Sequence, residues 1–184
     1  MQEIDVANAF RLIEPGPVLL VTTCGTDGPN VMTMGFHMMV QHAPPLIGCV
    51  IGPWDHSYRA LRETGECVLS VPRASMSATV TDIGNSSGVD IDKFCTFEIE
   101  AQPGITVKAP LLRDCIANLE CRLADATLSN SYSLHILEVE RLWVAPGWRE
   151  APMLHHIGDG YFRKDGDLID ESRRMTRWHH LAGL

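Results

Sequence analysis

The chain lacks any apolar run approaching the roughly 20 residues of a membrane-spanning helix, so no membrane span is expected. It also lacks clustered Lys and Arg. Asp and Glu number 23 against 15 Lys and Arg, and the formal net charge is -8. Nucleic acid and anionic membrane surfaces are therefore not expected partners, because both need concentrated positive charge. The first residues, Met1-Gln2-Glu3-Ile4-Asp5, show no basic segment followed by an apolar one, and the expected location is the cytoplasm. No Cys-x-x-Cys occurs. Cys24, Cys49, Cys67, Cys95, Cys115 and Cys121 are scattered, as free buried thiols are. The dinucleotide fingerprint is missing, since Gly158-Asp159-Gly160 has no third glycine. So are the P-loop, the Gly-x-Ser-x-Gly nucleophile elbow and His-Glu-x-x-His. The adjacent pairs His155-His156 and His179-His180 would point apart on a strand and suit one metal ion poorly, so no metal is expected.

What the chain does have is one organised stretch, Gly28 to Pro72, inside a sequence of 184 residues that is 45% hydrophobic. That length fits one domain over residues 1–184, with a barrel over about 15–170 and a polar tail over 171–184. The spacing predicts a strand from Asn30 to Val40 and a buried one from Leu46 to Ile51, closed off by Pro44-Pro45 and Gly52-Pro53. Asp55-His56-Ser57 then opens a helix that Gly65 ends. A helix start following a buried strand offers unpaired N–H groups and a positive dipole end to an anion. The plainer reading makes Ser57 an ordinary cap.

Around this stretch lie further elements. Asp5 to Ile13 has the spacing of a short amphipathic helix, and Val18 to Cys24 is a strand joined to the next through Gly25-Thr26-Asp27-Gly28. Met32, Met34, Met38 and Met39 form a stripe that either fills core gaps or makes a soft wall for a flat ring, with Gly35 allowing close approach. Ala74 to Ile83 reads as a helix. Gly84-Asn85-Ser86-Ser87-Gly88 reads as a loop whose successive N–H groups suit an anion nest, or as a plain flexible loop. Asp90 to Phe94 starts another helical turn, with Lys93 either solvated or reaching an anion. Strands follow at Ala117–Leu123 and Tyr132–Trp143, connected by Ser129-Asn130-Ser131. A hairpin around Asp165-Gly166 is expected within Tyr161–Asp170.

The order of Pro29-Asn30-Val31-Met32-Thr33-Met34-Gly35, Pro45-Leu46-Ile47-Gly48-Cys49, His56-Ser57 and Glu63-Thr64-Gly65-Glu66-Cys67-Val68-Leu69-Ser70-Val71-Pro72 resembles the flavin reductase-like family, the FMN-binding split barrels that include flavoredoxins. Ile83-Gly84-Asn85-Ser86, Asp92-Lys93-Phe94, Val107-Lys108-Ala109-Pro110-Leu111 and Asn118-Leu119-Glu120-Cys121-Arg122-Leu123 continue it. The resemblance implies a mainly β fold with short helices (α+β), an antiparallel Greek-key split β-barrel. It implies FMN beside Asn30, Val31, Met32, Thr33 and Met34, and beside Cys49, Val50, Ile51 and Gly52. The phosphate would be held near His56, Ser57, Gly84, Asn85, Ser86, Lys93 and Phe94. His155 or His156 falls where family members place residues near the flavin.

The resemblance further implies a homodimer and an oxidoreductase in which NADH or NADPH reduces FMN, with electrons passed to flavin or another acceptor. No acid–base side chain is required, so no catalytic residue is named. Two other readings stand beside it. One is a flavoredoxin-like carrier that serves a redox partner protein without its own NAD(P)H activity. The other is a non-catalytic barrel binding flavin, or binding haem through His155 or His156.

Overall fold

Val18 to Val21 is apolar at every position, and the reason is that this strand is buried on both sides. Successive side chains of a strand point to opposite faces. Leu19 and Val21 enter one core cluster with Met34, Ile47, Cys49, Ile51, Leu61, Cys67, Leu69, Cys121 and Leu137. Val18 and Leu20 enter a second, with Val31, Val80, Ile83, Leu112, Cys115 and Leu154. Two cores meet at one strand, and the remaining elements are arranged around it.

The computed structural model describes residues 16–174. Its principal strands are β1 (Leu19–Gly25), β2 (Gly28–Met34), β3 (His37–Gln41), β4 (Leu46–Val50), β5 (Glu66–Val71), β8 (Ala117–Asp125) and β9 (Leu134–Val144). They form one seven-stranded sheet in the order β2-β1-β5-β8-β9-β4-β3. Every pairing in it is antiparallel. Between β5 and β8 lie the short pair β6 (Ala101–Gln102) and β7 (Leu111–Leu112), and after β9 the pair β10 (Leu154–His156) and β11 (Phe162–Lys164).

The two edge strands, β2 and β3, are consecutive in the chain and joined only by Gly35 and Phe36. From Met34 to His37 the backbone spans at most about 11 Å. The sheet must therefore curl until its edges meet at this corner, and the result is an antiparallel barrel split along the β2/β3 line. The single strand expected over Asn30–Val40 is thus two strands, broken where the sheet changes edge.

Among the described residues four α-helices decorate the barrel: α1 (His56–Thr64), α2 (Ser77–Gly84), α3 (Lys93–Thr96) and α4 (Ser129–Tyr132). α1 buries Ser57 and Leu61 and ends at Gly65, whose φ of 67° is the left-handed conformation that closes a helix with the Gly65 N–H on the Leu61 carbonyl. α2 presses Val80 and Ile83 onto the outer side of β1 and β2. The expected connecting turn at Ser129-Asn130-Ser131 is the helix α4, which takes in Tyr132, so β9 begins at Leu134 rather than Tyr132.

The hairpin expected around Asp165-Gly166 is not there. β11 pairs back with β10 across Gly158-Asp159-Gly160, and Asp165 instead accepts from the Met153 N–H at 3.1 Å and bonds His155. The helix expected over Asp5–Ile13, and the tail beyond Arg174 with His179-His180, lie outside the described residues. No described helix is long and apolar enough to cross a membrane. All six cysteines are free, and Cys49, Cys67, Cys115 and Cys121 are buried.

Candidate functional site

The site begins with a tight turn between β4 and α1. The Gly52 N–H donates to Asp55 Oδ2 at 2.8 Å, and the Asp55 N–H donates to the Gly52 carbonyl at 2.9 Å. This reciprocal pair commits the Asp55 carboxylate to the turn, so it makes no capping bond to the α1 backbone. Ser57 does not cap the helix either. It is buried, and its Oγ accepts from Asn30 Nδ2 at 2.8 Å, linking β2 to the first turn of α1.

Gly88 closes over that link. A Cβ at Gly88 would come within 2.3 Å of Asn30 Oδ1 and 2.6 Å of His56 Cδ2, so only glycine lets the loop after α2 approach so closely. The loop is not the anion nest expected from its small residues. The Asn85 N–H turns back to the Thr81 carbonyl at 3.0 Å and the Ser86 N–H to that of Ile83 at 3.5 Å. Ser86 Oγ donates to the Asp82 carbonyl at 2.7 Å.

Lys93 is not the solvated lysine the sequence left open. It is 4% exposed, and its Nζ donates to the Ile83 carbonyl at 2.9 Å, placing a cation at the C-terminal end of α2 where the helix dipole favours one. Asp92 caps α3 by accepting from the Cys95 N–H at 3.1 Å and so fixes the start of the Lys93 turn. Burial lowers the Lys93 pKa from its ordinary value, and the charge of Asp55 pushes it back up.

These elements line a half-open chamber of about 170 Å³. Asn30, Met32 and Thr33 of β2 form one wall; Trp54, Asp55 and His56 form a second. Ile83, Gly84, Ser86, Ser87 and Lys93 complete it. A wider cleft of about 770 Å³ shares Asn30, His56 and Lys93 with the chamber. It runs along the Gly25–Pro29 turn, the Arg59 face of α1 and the segment from Gly88 to Phe94. Thr23 lines this cleft, and its buried hydroxyl has no protein partner. The cleft is acidic: Asp27, Glu63, Asp90 and Asp92 line it, and Arg59 is engaged by Glu63 at 2.7 Å and by Asp27 at 3.8 Å.

The fold brings Asn30, Met32, Thr33, His56, Gly84, Ser86 and Lys93 around one chamber, and Phe94 onto the adjoining cleft. It treats the other expected residues differently. Val31, Met34, Cys49 and Ile51 are core side chains, and only their backbone is available to a ligand. The Val50 N–H is taken by the Phe36 carbonyl at 3.0 Å and that of Ile51 by Ser133 at 3.0 Å. Gly52 is covered by the Trp54 ring, which a Cβ there would meet at 2.3 Å. Asn85 is exposed and lines neither cavity, and Ser57 lies beneath the chamber floor as a support for Asn30.

His155 and His156 also line neither cavity. His155 bonds Asp165, and His156 packs on Phe162 with ring centroids 5.2 Å apart. Trp54 and Asp55 are chamber residues that the sequence reading left out of the site: it read Asp55 as part of a helix start and did not single out Trp54. The available signal was a tryptophan between a proline and a helix start, a place where an apolar ring has no core to enter.

The donor set suits a phosphate-bearing ligand at one end and a flat ring at the other. A buried ammonium and the uncapped first turn of α1 favour an anion. β2 is a sheet edge, so alternate N–H groups on its outer side have no sheet partner and suit the polar rim of a ring.

Comparison with known proteins agrees with this geometry. The family model described as "Flavin reductase like domain" matches residues 11–163. The YddH protein of Escherichia coli K12 is 28% identical, over 90% of this chain and 95% of its own. The flavoredoxin of Desulfovibrio vulgaris (Miyazaki F) superposes with a TM-score of 0.80 at 21% identity, covering 89% of this chain and 92% of that one. An FMN-binding domain of a flavin reductases-like enzyme from Shewanella baltica OS155 superposes at 0.78 with 23% identity, covering 91% and 95%. The chain belongs to the flavin reductase-like family.

Proposed function

We propose that this protein is an FMN-dependent oxidoreductase that takes electrons from NADH or NADPH and passes them to a flavin or another acceptor. One observation carries the reading: Lys93, 4% exposed, brings its ammonium to a chamber that also receives the uncapped start of α1 and the outer edge of β2. Bound FMN supplies the electron chemistry itself. The chain's own residues hold and orient it: Lys93 and the first α1 amides at the phosphate, the β2 backbone edge and Met32 along the ring. Trp54, 75% exposed at the chamber rim, offers a face on which a second ring can stack.

A chamber of 170 Å³ is smaller than the roughly 300 Å³ at which pockets begin to enclose a drug-sized ligand. It would hold the phosphate end, with the ring reaching past Met32 to the chamber mouth. A homodimer would cover that ring, and β3 gives a surface for one. This edge strand exposes Met38 at 57%, Met39 at 56% and Val40 at 48%, with Phe36 at 57% beside them. An apolar sheet edge open to water favours pairing with another chain. Reduced thiols throughout and the acidic surface suit a single-domain protein of the cytoplasm.

The fold likeness to flavoredoxin supports a second reading, a carrier that accepts electrons from a protein partner rather than from NAD(P)H. The absorption spectrum of purified protein mixed with FMN, before and after NADH or NADPH, separates the two. A flavin band bleached by either nucleotide is expected. A band that persists with both but bleaches with dithionite favours the carrier, and a protein that takes up no flavin refutes both.

A further inference from the structure

The chamber contains its own anion. Asp55 lines it together with Lys93, and the turn that seats α1 holds the Asp55 carboxylate there through the 2.8 Å bond from the Gly52 N–H. Resting on the flavin reading above, we propose that Asp55 sets the ligand preference of the site. Its charge offsets Lys93, so that FMN is held only slightly more tightly than riboflavin and exchanges freely instead of remaining bound.

Three observations lead there. Lys93 is the buried cation at the chamber among the described residues. Arg59, the other basic residue lining the cleft, is 68% exposed and engaged by Glu63 and Asp27. Opposite charges sharing one small chamber cancel much of the field that a phosphate would feel, and the low-dielectric surroundings make that cancellation stronger than it would be in water. The acidic lining of the adjoining cleft, Asp27, Glu63, Asp90 and Asp92, extends the effect outward. A second phosphate attached to the first would have to enter that cleft, so the same charges disfavour flavin adenine dinucleotide. The oxidised ring and the ribityl chain of a flavin carry no net charge, so their binding responds to the charge of Asp55 much less than that of the phosphate does. The phosphate therefore adds little to the affinity of the site for a flavin.

The experiment measures dissociation constants for FMN, riboflavin and flavin adenine dinucleotide by flavin fluorescence, on the full chain and on Asp55→Asn. Asparagine keeps an oxygen to accept from the Gly52 N–H, so the turn is retained, and circular dichroism checks this. Asp55→Asn is expected to bind FMN about tenfold more tightly, with riboflavin changed less than about twofold. Asp27→Asn, which removes the same charge from the outer cleft, is expected to change FMN binding much less. An unchanged FMN constant in Asp55→Asn overturns the proposal, and so does an equal change for riboflavin and FMN, which would mean that Asp55 acts through the shape of the turn. Binding of none of the three flavins to either protein would remove the flavin reading itself, and this inference with it.

Discussion

Asn30 Nδ2 donates to Ser57 Oγ at 2.8 Å, and both side chains are more than nine-tenths buried. This one bond ties the edge strand β2 to the first turn of α1. It lies under the chamber rather than in it, so Ser57 is a support for the site and not a ligand contact. Ser57→Ala leaves the Asn30 amide without its acceptor. The expected loss is about 1–3 kcal/mol of stability, seen as a drop in Tm of roughly 2–4 °C per kcal/mol. FMN affinity should fall less than for a change at Lys93. A variant as stable as the parent would show that water replaces the hydroxyl and that the link does not matter.

Lys93→Met removes the buried charge while keeping an unbranched side chain of similar volume, so folding should survive. FMN binding is expected to weaken by roughly tenfold or more, with riboflavin unaffected. The pH dependence has a definite sign. Burial lowers the Lys93 pKa, so the ammonium loses its proton at lower pH than an ordinary lysine. The FMN affinity of the parent should therefore fall as pH rises through that lowered value, and Lys93→Arg should remove the fall. Titration of FMN fluorescence against pH tests it. A flat profile in the parent would mean that the phosphate does not meet Lys93.

Glu120 is fully buried in β8 and holds a distant loop. Its Oε2 accepts from the N–H groups of Ile105 at 2.9 Å, Thr106 at 2.6 Å and Val107 at 3.2 Å, and its Oε1 from Trp143 Nε1 at 2.7 Å. Burial pushes its pKa up, but the hydrogen bonds from Thr106, Trp143 and Ile105 outweigh burial and hold it below the ordinary value. A carboxyl whose folded pKa is depressed stabilises the fold above its unfolded pKa, and that stability is lost as pH falls through the folded value. Glu120→Ala leaves several buried donors without an acceptor and should cost about 3 kcal/mol or more. Glu120→Gln should show a shallower loss of stability than the parent below about pH 4.3, the unfolded value. Denaturant melts at a series of pH values decide this, and parallel curves for parent and Glu120→Gln would contradict it.

The thiols should divide by burial. Cys95 is exposed and Cys24 half-buried, whereas Cys49, Cys67, Cys115 and Cys121 are buried. Burial pushes the Cys115 thiol up to about 12 and raises that of Cys49 further. Cys67 and Cys121 face each other across β5 and β8, and a hydrogen bond between them, together with burial, raises Cys67 as well. Aromatic disulfide reagents at pH 8 should label Cys95 first and Cys24 more slowly, and reach the other four only after unfolding. Rapid labelling of all six in the native protein would show that the barrel opens on that timescale.

If β3 pairs with a second copy, Met38→Asp together with Met39→Asp should convert a dimer to a monomer while leaving the far-ultraviolet circular dichroism unchanged. Light scattering after size exclusion measures the mass. A parent that is already monomeric at working concentration would remove the role proposed for this edge.

The local sequence settled what local physics controls. Thr26-Asp27, followed by Gly28 at positive φ, made the β1/β2 turn, Gly65 ended α1 with a left-handed residue, and the short apolar runs Val18–Val21 and Cys67–Leu69 made buried strands. The ordered run from Pro29 to Leu123 carried enough pattern to indicate the family, because turns, strand lengths and helix starts are each written in neighbouring residues. What it could not decide was partnership at a distance. Asn30 and Ser57 are 27 residues apart, and nothing local says that one accepts from the other. The residues around Lys93 leave it open between a solvated lysine and an anion contact until the Ile83 carbonyl and the β2 wall are brought around it. The Asn85 and Ser86 amides looked free until α2 claimed them. Asp55 became a chamber residue only when the Gly52 turn aimed it there. Closure of the sheet, which brings β2, α1 and the Lys93 turn to one place, is a property of the whole hydrogen-bonded ladder. That is why the chamber's shape and its charge balance were decided by the tertiary structure.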